Sequence, residues 1–214
     1  MTEARSFVPA AGRDWLLPFY DPLLRLLGEE RIKETLIEAA DIRPGQRVLD
    51  LGCGTGTLAL MIRERCPEAE VIGLDPDPKA LAIARSKAER AGAAVEWRQG
   101  FADDLPFEDG SFDRVVSSLV FHHLPPDVVR AALPELRRVL EPGGSVWVLD
   151  LSHGGTHGLH GLLARFASHQ HGDEDVAGQL PTLMEGAGLL AAEARPCRRT
   201  FMGPLVLTHA QAPG

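Results

Sequence analysis

The run Val48-Leu49-Asp50-Leu51-Gly52-Cys53-Gly54-Thr55-Gly56 constrains this chain more than any other stretch. A short apolar run carries an acid and opens into a loop of alternating glycines. Thr57-Leu58-Ala59-Leu60-Met61-Ile62 then reads as the start of a helix. The unit is strand, glycine loop, helix. Glycine serves such a loop twice: it turns at positive φ, and its missing Cβ lets a ligand approach the backbone. Free N–H groups at the helix start favour an anionic or polar ligand group. A dinucleotide fingerprint, G-x-G-x-x-G, would place its third glycine at Thr57, so the spacing here is a different one, G-x-G-x-G.

The 214 residues suit one domain with a full core, 1–214. The net charge of -8 argues against a protein that grips a nucleic-acid backbone over a wide face. Cys53, Cys66 and Cys197 form no C-x-x-C pair and are odd in number, which fits free thiols in a reducing compartment. The start Met1-Thr2-Glu3-Ala4-Arg5 has no signal pattern, and no apolar run approaches the ~18 residues of a membrane span. A cytoplasmic protein, monomer or homodimer, is expected.

Asp21-Pro22 reads as a helix start, with Ile32, Leu36 and Ile37 at helical spacing further on. Residues 1–43 are expected to form a helical cap, with Trp15, Phe19 and Tyr20 placed over a substrate. Strands are expected at Val71–Asp75, Ala94–Arg98, Phe112–Val120 and Ser145–Asp150, separated by helices 57–65, one begun by Pro76-Asp77-Pro78, and 127–140. A helix over 175–190 and a hairpin of Arg195–Thr200 with Leu205–His209 close the chain. Asp75 lies roughly 20 residues after the glycine loop, an offset from which a carboxylate reaches ribose hydroxyls. The alternation implies an α/β fold: a Rossmann-like, seven-stranded, mostly parallel sheet with a C-terminal antiparallel hairpin.

Residues 151–172 are rich in glycine and histidine: His153, His157, His160, His169 and His171. A polar lid over the substrate accounts for them better than a metal site. No carboxylate or cysteine stands at matching spacing, and Gly154, Gly155, Gly158 and Gly161 weaken a helix that could align them. No metal is expected. Asp103, Asp104 and Asp150 are the acids nearest to a magnesium site, and they form no cluster in the sequence.

Asp50–Gly56 resembles the D-x-G-x-G-x-G motif of class I S-adenosylmethionine (SAM) dependent methyltransferases of the small-molecule, type 11-like kind. Gly100–Phe107 is similar to the family's G-D-A-x-x-L-P-F segment, Ser111–Val115 to S-F-D-x-V, and Arg138–Ser145 to R-V-L-x-P-G-G-S. The likeness spans roughly Pro44 to Asp150, which would make 44–150 the cofactor-binding core and 173–214 a C-terminal helix and hairpin. It implies SAM as cofactor. Gly52, Cys53 and Gly54 would approach its methionine part, with Asp50 favouring the amino end. Asp75 would hold the ribose, Pro76 would lie on the adenine face, and Ala102 and Asp103 would meet the ring edge. Ser117 would offer its carbonyl to the amino group. Phe101 stands where the family usually has aspartate, so it packs there or Asp103 takes over the polar contact.

Ligands in open α/β sheets bind beyond the carboxyl ends of strands, which puts Ser117 to His123 beside the reacting centre. His122 is the candidate base for an acceptor that must lose a proton; it could equally shape the substrate pocket or cap the next helix. The expected partner is a small, partly apolar methyl acceptor, through oxygen, nitrogen or carbon, and not nucleic acid. Two other classes share these features: a non-catalytic SAM-binding regulator and a nicotinamide-dependent oxidoreductase.

Overall fold

Helix α1, Glu29–Ala40, is built on the expected period: Ile32, Leu36, Ile37 and Ala40 recur on one face and are buried. It opens the computed structural model, which describes residues 29–152, 176–200 and 203–214. The cap residues Trp15, Phe19 and Tyr20 and the histidines 153–171 lie outside the described residues. The chain divides into two compact units, Met1–Phe101 and Ala102–Gly214. Its strands follow the sheet order β3-β2-β1-β4-β5-β7-β6.

In the first unit, β1 (Arg47–Leu51) leads to α2 (Thr57–Arg65), β2 (Glu70–Asp75), α3 (Pro78–Ala91) and β3 (Glu96–Gln99). β1 and β2 pair in parallel with Asp50 opposite Gly73, and β2 and β3 pair in parallel with Gly73 opposite Trp97. Val48, Leu49, Leu51, Val71, Ile72 and Leu74 are all buried, so consecutive residues are covered on both faces, as inner parallel strands require. Asp77 caps α3 by accepting from Lys79 N–H at 2.8 Å, Pro78 follows it, and left-handed Gly92 ends the helix.

Trp97 explains two glycines. A Cβ on Gly56 would stand 2.4 Å from its ring, and one on Gly73 would stand 2.5 Å from it. Gly56 also begins α2 at φ 78, a left-handed value. We expect Gly73→Ala to destabilise the fold by about 1–3 kcal/mol, because the added methyl also meets Cys53 Sγ at 3.0 Å and the ring has to shift. Chemical denaturation measures this; an unchanged midpoint would contradict the packing described.

The second unit runs β4 (Phe112–Ser118), a 3-10 turn (Phe121–His123), α4 (Pro126–Val139), β5 (Leu140–Leu151), α5 (Val176–Gly186), β6 (Leu190–Thr200) and β7 (Gly203–Gln211). β4 and β5 pair in parallel, while β7 runs antiparallel to both β5 and β6. β4 stops two residues before the expected Val120 because Leu119 adopts φ 59 and turns the chain out of the strand. The hairpin strands are longer than expected. β6 lies at the sheet edge and absorbs Ala191, at φ 51, and Pro196 in two register shifts rather than ending at them. Among the described residues, no helix is long and apolar enough to cross a membrane.

Candidate functional site

The first unit gathers Asp50, the glycine loop and Asp75 at the carboxyl ends of β1 and β2. Gly52, Gly54 and Gly56 take φ values of 70, 53 and 78. The loop is pinned across β2: Gly52 N–H and Cys53 N–H both donate to Leu74 O, at 2.8 and 3.0 Å. Gly54 N–H donates to Asp75 Oδ2 at 2.8 Å, and Asp77 N–H donates to Asp75 Oδ1 at 2.9 Å. A carboxylate offers about four acceptor positions, so these two bonds leave Asp75 capacity for a pair of hydroxyls. Burial raises its pKa above the usual carboxylate range, while the two N–H donors pull it down. Among the described residues, a Cβ built on Gly54 meets nothing within 4 Å, so open space adjoins the backbone at that residue.

Asp50 is placed differently. It is 1% exposed, and its Oδ2 accepts from Ala59 N–H at 3.0 Å, which satisfies a donor in the first turn of α2. Burial pushes its pKa up to about 7, against the pull of the Lys33 ammonium and the Ala59 bond. Lys33 is itself buried and paired with Glu29 at 2.7 Å. The Cys53 thiol is buried beside these acids; burial first, then the charges of Asp50 and Asp75, drive its pKa well upward, which leaves it a protonated, inert group. Gln99, which sequence reasoning passed over, fixes the next peptide by donating from Nε2 to Pro76 O at 3.1 Å.

In the second unit, Ala102 and Asp103 are half-buried at the head of a loop held from α4. Arg138 donates to Leu105 O at 3.0 Å, Phe107 O at 2.7 Å, Asp109 Oδ1 at 2.8 Å and Glu135 Oε2 at 2.7 Å. Glu135 accepts from Leu105 N–H at 2.9 Å, and its bond to Arg138 holds its carboxyl below the usual range. A planar cation with a fork of donors suits this clamp, in which one side chain meets two carbonyls and two carboxylates.

At the carboxyl end of β4, Ser117 is fully buried and Ser118 Oγ is buried without a hydrogen-bond partner among the described residues. The strained Leu119 hands the chain to the turn that carries His122 and His123. His122 Nδ1 makes a short hydrogen bond with Asp150 Oδ1, and His122 N–H donates to Asp150 Oδ2 at 3.1 Å. The rings of His122 and His123 lie 3.8 Å apart. Burial, and then the charge of His122, lower the His123 pKa to about 4, so His123 is neutral at pH 7. Sequence reading took Asp150 for a strand end. The available signal was that an acid stands at or next to the carboxyl end of β1, β2 and β5 alike. Among the described residues, no three of His, Cys, Asp and Glu gather around a point that could hold a metal ion.

Residues 48–144 match a family model described as a methyltransferase domain. Over those residues the chain resembles a methyltransferase domain. It is 44% identical over 138 residues to the demethylmenaquinone methyltransferase of Thermus thermophilus, covering 63% of this chain and 62% of that protein. It is 34% identical over 144 residues to the 2-phytyl-1,4-naphtoquinone methyltransferase of Synechococcus elongatus, covering 64% of this chain and 61% of that protein. The match therefore spans less than two thirds of these curated relatives' length. Phosphoethanolamine N-methyltransferase 2 of Haemonchus contortus, solved in complex with S-adenosyl-L-methionine, aligns with a TM-score of 0.75 over 100% of this chain and 61% of its own, at 16% identity. At that identity the likeness is one of fold. In this chain, as in open α/β sheets generally, the candidate residues sit at carboxyl ends of strands.

Proposed function

We propose that this chain binds SAM and moves its methyl group to a small, partly apolar acceptor. The observation that carries the reading is the Gly54–Asp75 arrangement: a left-handed glycine beside open space, tied to a carboxylate with acceptor positions to spare. These residues fit the cofactor's chemistry, which needs close backbone approach and a partner for two sugar hydroxyls. SAM, when bound, supplies an electrophilic methyl group on a sulfonium.

The chain's residues bind and orient. Gly52, Cys53 and Gly54 present backbone to the methionine part. Asp50, turned inward to α2, contributes negative charge through the loop rather than by direct contact. Asp75 takes the ribose, and Pro76, held by Gln99, is a flat apolar contact for adenine. Ala102 and Asp103 serve the adenine edge, on a loop that the Arg138 clamp keeps in place. Ser117 offers its carbonyl, and His122 meets the acceptor. The quinone names of two relatives support an apolar ring as acceptor. We place the protein in the cytoplasm as a monomer or homodimer, with no nucleic-acid partner.

Calorimetric titration with S-adenosylhomocysteine, with NADH as control, tests the reading. Micromolar binding of the first alone is expected. Binding of NADH instead would move the chain to the oxidoreductases. Asp75→Ala should weaken S-adenosylhomocysteine binding about 10- to 100-fold, since charge-assisted bonds of ~1.5–3 kcal/mol are lost. An unchanged dissociation constant would remove the ribose role.

A further inference from the structure

Charged side chains belong on the solvated face of a helix, yet α1 turns two of them inward. Glu29 and Lys33 are each 8% exposed and lie on the face that carries Leu36, Ile37 and Ala40. They pair at 2.7 Å, one helical turn apart. Among the described residues, Lys33 is the one lysine or arginine buried this deeply. A buried ion pair is often no more stabilising than two apolar side chains, so stability alone is weak ground for it.

The place of the pair in the fold gives it other work. α1 ends at Ala40, and a turn closed by Gln46 N–H donating to Arg43 O at 3.2 Å leads into β1. The helix therefore runs back beside that strand. From Ala40 to Lys33 it rises about 10 Å, at about 1.5 Å per residue. From Arg47 to Asp50 the strand rises about 10 Å, at about 3.3 Å per residue. Lys33 thus stands level with Asp50, and its charge is felt at both Asp50 and Cys53. This is the end of the loop that faces the methionine part of the proposed cofactor.

That part ends in an amino acid, with an ammonium and a carboxylate on one carbon. The acids at this end, Asp50 and Glu29, suit the ammonium and repel the carboxylate. The glycine loop has little left for an anion. Gly52 and Cys53 spend their N–H groups on Leu74 O, Gly54 on Asp75, and Gly56 on Cys53 O at 2.8 Å. In the first turn of α2, Ala59 N–H is taken by Asp50. A carboxylate arriving here needs a side-chain cation. The Lys33 ammonium has three hydrogens, and Glu29 takes one of them.

We infer that Lys33 takes the α-carboxylate of the cofactor, so that the site reads the whole amino-acid zwitterion rather than adenosine alone. This rests on the SAM-binding reading. Lys33 keeps Glu29 and donates a second hydrogen to the ligand, whose ammonium faces Asp50. Opposite charges then alternate through the cluster. A ligand without the carboxylate would bring its ammonium beside Lys33 with nothing to offset the repulsion.

The test is calorimetric titration with two ligands that differ only in this group: S-adenosylhomocysteine and its decarboxylated counterpart, 5′-S-(3-aminopropyl)-5′-thioadenosine. Wild type should bind the first about 10- to 100-fold more tightly, the worth of one charge-assisted bond. Lys33→Met should lose that factor for S-adenosylhomocysteine and leave the amine no weaker, so that the two ligands bind alike. Lys33→Arg should restore part of the preference. A merely structural role would weaken both ligands together or neither. Should Lys33→Met fail to fold because Glu29 is left buried and unpaired, the double variant Glu29→Met, Lys33→Met removes both charges and carries the same expectation. Equal wild-type affinity for the two ligands would overturn the inference. So would a preference for S-adenosylhomocysteine that survives in a folded variant without Lys33. Either result, with S-adenosylhomocysteine still bound, leaves the cofactor reading standing; no binding of either ligand by wild type sinks that reading and the inference with it.

Discussion

Gly54→Val should abolish S-adenosylhomocysteine binding, with at least a 100-fold loss by calorimetry and a fold still intact by circular dichroism. Two effects act together. At φ 53 a β-branched residue is strained, at a cost of roughly 1–2 kcal/mol. The added methyls would also fill the space that is open in front of this residue. Strain alone would lower stability and leave affinity within a few fold, so the two measurements separate the causes. Gly54→Ala should fall between the two, because it carries the strain and one carbon. A folded Gly54→Val protein with wild-type affinity would mean that the ligand does not approach this backbone.

Asp50→Asn should make the protein more stable at pH 8 and equally stable near pH 4. Asp50 prefers its protonated form when folded, since burial raises its pKa from 3.8 to about 7. A raised acid contributes its full stability below the unfolded value and gives it up as pH climbs through the folded one. The window is therefore about pH 4 to 7. The shift sets a ceiling of about 4 kcal/mol, a net in which the attraction to Lys33 is already counted. Asparagine keeps an oxygen for Ala59 N–H, so the start of α2 is preserved. Thermal unfolding as a function of pH measures the difference. A gain that is flat with pH, or a loss at pH 8, would contradict the assignment. The same variant should bind S-adenosylhomocysteine more weakly, which would explain why a costly buried charge sits there.

What was readable in the sequence is what depends on neighbours along the chain. The glycine loop announces its turn, Asp77-Pro78 announces a helix start, and the alternation of apolar runs gives the sheet and its closing hairpin. Asp75 was singled out because its offset from the loop is itself a local rule. The parts that were missed are held by residues far apart in sequence. Asp150 meets His122 across 28 positions, and Arg138 reaches Phe107 across 31. Nothing in the spacing of apolar residues encodes such pairs, and a turn at Leu119 contradicts that residue's own preference, so β4 was read two residues too long. Asp50 was read as favouring the amino end of the ligand, directly or through water; its bond from Ala59 N–H in the first turn of α2 is a further role that the motif does not announce.

Trp97 and the two glycines beneath it also limit how this protein can drift. Neither Gly56 nor Gly73 has room for a single extra carbon while the indole is in place, yet the indole could shrink without either glycine changing. The mutational path at Gly73 is therefore ordered: a smaller residue at 97 removes the nearest clash and leaves Cys53 Sγ at 3.0 Å, whereas Gly56 stays fixed by its φ of 78 and by Ala84 Cβ at 2.9 Å. Relatives with a smaller residue at the equivalent of 97 should be the ones in which the glycine at 73 is free to vary, and libraries that randomise these positions singly will miss the combinations that fold.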